Sequence, residues 1–160
     1  MSYNVTKGNA CERERAGNSD RHGFQTLEDL GVYRTAREFR KAMYGITRRL
    51  PDSEEYDLAS QIRRAAVSLT NNIAEGHGRF HYPDQIRFIL HSRGSLEELV
   101  EDLNICSDEN YLPADGAAKL KEQASGVLIL INGYLRYLRS RSASIQESDD
   151  SYSASTDLFL

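Results

Sequence analysis

The sequence has no tryptophan, three prolines, two cysteines and, among twenty basic residues, only four lysines (Lys7, Lys41, Lys119 and Lys121). Two cysteines, Cys11 and Cys106, cannot build a disulfide framework, and neither has a second Cys or a His at metal-ligand spacing. Cys106 falls on an apolar helical stripe and reads as a buried thiol, whereas Cys11 sits in a polar segment without a role. The longest unbroken apolar run, Val127–Ile131, is far too short to span a bilayer. The opening MSYNVTKGNACERERAG lacks an apolar core, so no secretory signal is expected, and the expected compartment is the cytoplasm. No stretch alternates apolar and polar residues with period two, which argues against a sheet.

Catalytic and cofactor signatures are also missing. No Glu is followed three residues later by His, which removes the usual helical-bundle di-iron site. There is no His-Glu-x-x-His and no Gly-rich loop ending in Gly-Lys-Ser/Thr. Arg87 and His91 lie one helical turn apart and could share a face as a proton-transfer pair, or be an ordinary exposed pair. His77 and His81 lack further ligands nearby and read as surface histidines. The expectation is a protein with no catalytic residues, no cofactor and no metal.

Charge is unevenly placed. Residues 1–23 carry net +1, residues 24–141 net −1, and residues 142–160 net −4 with no basic group at all. Whole-molecule attraction to nucleic acid is therefore not expected, and binding must come from a local patch. The preference for Arg over Lys suits bidentate contacts to phosphate or carboxylate.

Four helical patterns occupy 24–141. Val32, Ala36, Phe39, Met43, Ile46 and Leu50 recur at spacings of 4, 3, 4, 3 and 4, and Pro51 ends the run. Asp52 with Glu55 has a capping-box layout before Leu58, Ile62, Ala65, Leu69 and Ile73, and Gly76 and Gly78 are expected to stop that helix. Pro83-Asp84 opens a third pattern with Ile86, Ile89, Leu96, Leu99, Leu103 and Cys106, closed by Asn110. After Pro113, Leu120, Ala124, Val127, Ile131, Tyr134 and Leu138 repeat the 4, 3 spacing. Arg136, Arg139 and Arg141 then suit the negative end of the helix. Gly94 and Gly133 fall mid-helix, consistent with close packing or with tolerated weakness. The expected fold is all-α: an antiparallel up-down-up-down four-helix bundle with helices at 28–50, 53–75, 83–108 and 114–141. A disordered arm (1–23) and a disordered acidic, Ser-rich tail (142–160) flank it. The terminal Asp157-Leu158-Phe159-Leu160 reads as a frayed end or a short docking motif.

The segment Ser60-Gln61-Ile62-Arg63-Arg64-Ala65-Ala66-Val67-Ser68-Leu69, continuing Thr70-Asn71-Asn72-Ile73-Ala74-Glu75-Gly76-His77-Gly78-Arg79, resembles the signature of a bacterial family. These are the four-helix-bundle proteins encoded in intervening sequences of 23S rRNA genes. Arg87-Phe88, Gly94-Ser95-Leu96-Glu97-Glu98-Leu99, Tyr111-Leu112 and Gly133–Leu138 match as well, so the resemblance runs from Phe24 to Arg141. Thr70 stands in place of the family's Pro, His77 in place of its aromatic, and Tyr33 where Trp is common. The resemblance implies a homopentameric barrel. It also implies a distant relationship to the accessory variability determinant proteins of diversity-generating retroelements, which bind RNA and a reverse transcriptase.

The leading expectation is a non-enzymatic, oligomeric, nucleic-acid-binding accessory protein, with RNA or DNA as ligand, a reverse transcriptase as a candidate partner and no membrane. Its expected contacts are Arg63, Arg64, Arg79 and Arg87, with Arg34, Arg37, Arg40, Lys41, Arg48 and Arg49 adding a basic face on the first helix. The competing reading has Arg63 and Arg64 paired with Glu75, Glu97 or Glu101, within or between subunits. The alternative function is a helical interaction scaffold without nucleic acid.

Overall fold

A computed structural model describes residues 26–156, with side chains through Ile145. The arm at 1–23, Cys11 and the Asp157–Leu160 end lie outside the described residues. Four helices follow one another: α1 (Gly31–Thr47), α2 (Leu58–His77), α3 (Tyr82–Asp108) and α4 (Ala114–Thr156), with no strand among the described residues. Each helix packs on its sequence neighbour and α1 packs on α4, the closed square of an up-down-up-down bundle.

The apolar stripes meet in one core. Val32, Ala36, Phe39 and Met43 of α1 face Ile62, Leu69 and Ile73 of α2, Leu96, Leu99 and Leu103 of α3, and Val127, Ile131 and Leu138 of α4. Polar side chains tie α2 to α3: Ser92 donates to the Leu69 carbonyl at 2.8 Å, and the Ser95 and Ser68 hydroxyls lie 2.8 Å apart. Cys106 is fully buried, and burial with the nearby Asp102 charge pushes its thiol up to about 11. Asp102, an acid on the apolar stripe of α3, is also fully buried.

The helix boundaries differ from those expected. The first helix is shorter at both ends. Leu27–Asp29 forms a separate 3-10 turn, and α1 ends at Thr47, ahead of Leu50, whose place before Pro51 disfavours the helical region. The Asp52/Glu55 capping box does not form. Asp52–Glu54 makes one 3-10 turn and α2 begins only at Leu58, because the Glu55 carboxylate reaches forward to Arg63 instead of back to Asp52.

Gly76 is not a stop but a crossing point. It is buried inside α2, where a Cβ would lie 3.2 Å from both the Gln85 carbonyl oxygen and Phe88 Cβ. Gly78 caps the helix, its N–H bonded to the Ala74 carbonyl. Asn110 closes α3 in the left-handed region at φ 59°. α4 continues past Arg141 to Thr156, since no Pro or Gly follows Gly133 to interrupt it. Arg136, Arg139 and Arg141 therefore lie inside the helix rather than at its negative end.

Candidate nucleic-acid interface

The heptad geometry that buries Phe39 and Met43 leaves Arg40, Lys41, Tyr44 and Arg48 on the flank of α1 that faces α2. On α2 the same logic buries Ile62 and Ala66 and turns Arg63, Arg64, Val67 and Asn71 toward that flank. The result is a groove between α1 and α2. One depression of about 330 Å³ is lined by Arg40, Lys41, Tyr44, Arg48 and Val67. Another of about 490 Å³ is lined by Tyr44, Arg63, Arg64, Val67, Asn71 and neighbouring polar residues. Tyr44 and Val67 belong to both, so the two are continuous.

Five cations line this groove and two are neutralised. Lys41 pairs with Glu38 at 2.7 Å, and Arg63 makes a two-pronged contact with Glu55 at 2.9 Å on each side. Glu55 is held below its ordinary carboxylate value, chiefly by that bond, and the Arg63 guanidinium is correspondingly raised. Arg40 donates to Thr70 Oγ1 at 2.8 Å, and the Thr70 hydroxyl donates to the Val67 carbonyl. A hydroxyl thus stands where the resemblance implies proline. It leaves α2 unbroken and fastens α1 to it. Arg64 touches only Ser60 at 3.5 Å, and Arg48 is exposed with no ion pair among the described residues.

Arg79 and Arg87 are elsewhere. Fifteen residues along α2 and its cap separate Arg64 from Arg79, about 22 Å at 1.5 Å per residue. Both later arginines sit at the α2–α3 corner, over the same ring: Arg79 is 4.8 Å and Arg87 5.3 Å from the Phe88 centroid. Each also has an acidic partner, Glu75 for Arg79 and Asp84 at 3.8 Å for Arg87. The four expected contacts therefore form two sites rather than one patch. Within the protomer, Arg63 and Arg64 do not pair with Glu75, Glu97 or Glu101: Glu75 serves Arg79 and Arg63 faces Glu55.

Tyr44 and Phe80 were not singled out from sequence. Tyr44 hides beside core residue Met43, and Phe80 lies in a loop without periodicity. Among the described residues no three His, Cys, Asp or Glu side chains converge as metal ligands, and no helix is long and apolar enough to cross a membrane.

A family model for the 23S rRNA-intervening sequence protein matches residues 28–133. The chain belongs to that family. The match spans α1 through α3 and enters α4, so every residue of the α1–α2 groove of this intervening-sequence family member lies within it, as does the α2–α3 corner. No curated protein matches the chain.

Proposed function

We propose that the protein is a non-enzymatic RNA-binding accessory protein whose α1–α2 groove contacts phosphates. One observation carries the proposal: Arg48 and Arg64, exposed and without acidic partners among the described residues, flank Tyr44 in a groove lined by five cations. Unpaired guanidinium groups beside an aromatic ring suit phosphate with an adjacent sugar or base. The family's association with 23S rRNA intervening sequences favours RNA over DNA. Contacts of this kind are salt-dependent and weakly sequence-specific.

In this reading the protomers assemble as a homopentamer, which repeats the near-neutral protomer's basic groove by symmetry. Gly94 and Gly133 are compatible with such an assembly, because a Cβ at either would meet nothing within 4 Å inside the protomer. A reverse transcriptase belongs to the reading as a partner. The Arg87 guanidinium lies against Asp84 and over the Phe88 ring, which His91 also contacts.

A protein-docking scaffold is the second reading, favoured by Ile129, Leu130 and Tyr137, apolar side chains exposed on α4. Titration of binding to a structured RNA against salt separates the two. The RNA reading expects log affinity to fall linearly with log salt, and the double substitution Arg48→Glu with Arg64→Glu to abolish binding with the assembly intact. Binding by that variant equal to the parent's would overturn the groove as the site. No binding by the parent at low salt would leave the scaffold.

A further inference from the structure

Phe80 is 90% exposed in the connection between α2 and α3, although each of its chain neighbours carries a polar, charged or titratable group. Such a ring contributes little to the core. Its setting is nevertheless fixed on both sides. The Arg79 N–H bonds the Gly76 carbonyl at 3.1 Å, Gln85 Nε2 donates to the Arg79 carbonyl at 2.8 Å, and the Gln85 N–H bonds the His81 carbonyl at 3.1 Å. The loop therefore presents Phe80 from a hydrogen-bonded frame, with the His81 ring perpendicular to it at 5.1 Å.

Beside the ring lies a cleft of about 570 Å³, lined mainly by Phe80, His81, Tyr82 and Pro83 against Ile145 of α4. Three arginines lie about it without lining it. Arg79 precedes Phe80 in the chain and rests with Arg87 on the Phe88 ring, and the Tyr82 hydroxyl holds the Arg141 guanidinium above its ordinary value. Glu75 and Asp84 pair with the first two, and Arg141 has no ion pair among the described residues.

An exposed ring, a slot beside it and guanidinium groups at its edge are the components of single-stranded nucleic-acid binding. An apolar protein partner closing over Phe80 would have to desolvate those guanidinium groups, whereas a nucleotide brings both a π-face and a phosphate. Bases within a duplex are already stacked and offer no free face.

Building on the RNA reading above, we propose that Phe80 is a stacking platform for an unpaired RNA base, with Arg141 taking an adjoining phosphate. The molecule then has two separable contacts: the α1–α2 groove for backbone, and the α2–α3 corner for an unpaired loop or end.

The absence of tryptophan supplies the test. Phe80→Trp introduces the chain's single tryptophan at the platform, and a single-stranded oligouridylate should quench its fluorescence. Phe80→Ala should weaken oligouridylate binding about 5- to 150-fold, the range of one lost base–aromatic stack, without changing the salt slope. Phe80→Tyr should restore it. Binding of a duplex RNA with the same number of phosphates should be unaffected by Phe80→Ala. If the parent protein binds duplex while Phe80→Ala binds oligouridylate as tightly as the parent, the platform is wrong and the groove stands. If the parent binds neither probe, both proposals fall. A changed mass of Phe80→Ala in light scattering would make Phe80 a subunit contact and also overturn the platform.

Discussion

Gln61 Nε2 of α2 donates to Asp102 Oδ1 of α3 at 2.9 Å, while Asp102 Oδ2, buried beside it, accepts no hydrogen bond among the described residues. A half-satisfied carboxylate inside an apolar seam is a destabilising element at neutral pH. Burial pushes Asp102 up to about 6, the Gln61 bond opposes this, and the nearby Glu98 and Glu101 charges reinforce it.

The first prediction follows from the sign of that shift. The folded state keeps a proton that the unfolded chain releases near 3.8, so Asp102's favourable contribution is complete below that value. It is lost as pH rises through about 6 and changes little above 7. Asp102→Asn mimics the protonated form and does not titrate. Its stability relative to the parent should rise between pH 4 and pH 7 by up to about 3 kcal/mol, at 1.36 kcal/mol per pH unit. Urea titrations at pH 4, 5, 6, 7 and 8 read this directly, and a pH-independent difference would contradict it.

The second prediction separates three helical glycines. Gly76→Ala places a methyl 3.2 Å from a backbone carbonyl oxygen, which cannot rotate away, and should destabilise by about 1–3 kcal/mol. Gly94→Ala and Gly133→Ala meet open space in the protomer and should add about 0.4–1 kcal/mol to its stability. Thermal melts of the three variants test the contrast. If Gly94→Ala or Gly133→Ala instead lowers the assembled mass, that glycine lies where subunits approach.

A third prediction concerns the core. Leu103 and Ile131 are fully buried on α3 and α4, so Leu103→Ala or Ile131→Ala should cost about 2–5 kcal/mol each through lost transfer energy and residual cavity. Leu130→Ala, one position away but 39% exposed, should cost far less. Equal costs at 130 and 131 would mean that the outer face of α4 is buried by another subunit.

The fourth prediction uses the Arg63–Glu55 tie. Both groups are partly solvent-exposed, so Glu55→Gln should change stability by no more than about 1 kcal/mol. It also releases the Arg63 guanidinium, so RNA affinity should rise and the salt slope steepen by up to about one unit. Unchanged affinity would remove Arg63 from the interface.

Helical stripes were legible because burial follows a period that sequence displays directly: Val32, Phe39, Ile62, Leu69, Leu96, Leu103, Val127, Ile131 and Leu138 are all inside. The start of α2 was not, because Glu55's actual partner is eight residues ahead rather than three behind. Asp102 left a trace in the sequence, an acid three residues after Leu99 and four before Cys106 on the same stripe. The candidate site was legible only as composition. Nearness in sequence grouped Arg63 and Arg64 with Arg79, but a straight helix carries them apart, while Arg48 is brought beside Arg64 only by the antiparallel packing of α1 on α2.

Cys106 gives the bundle a record of its own opening. Thiol reagents and oxidants attack the thiolate, which is scarce in a group buried and raised to about 11. In a Cys11→Ser protein, modification of the remaining thiol must wait until α3 parts from its neighbours. Labelling kinetics at one atom would then report how often the core comes apart, and a stored sample's modified fraction would measure the time its molecules have spent open.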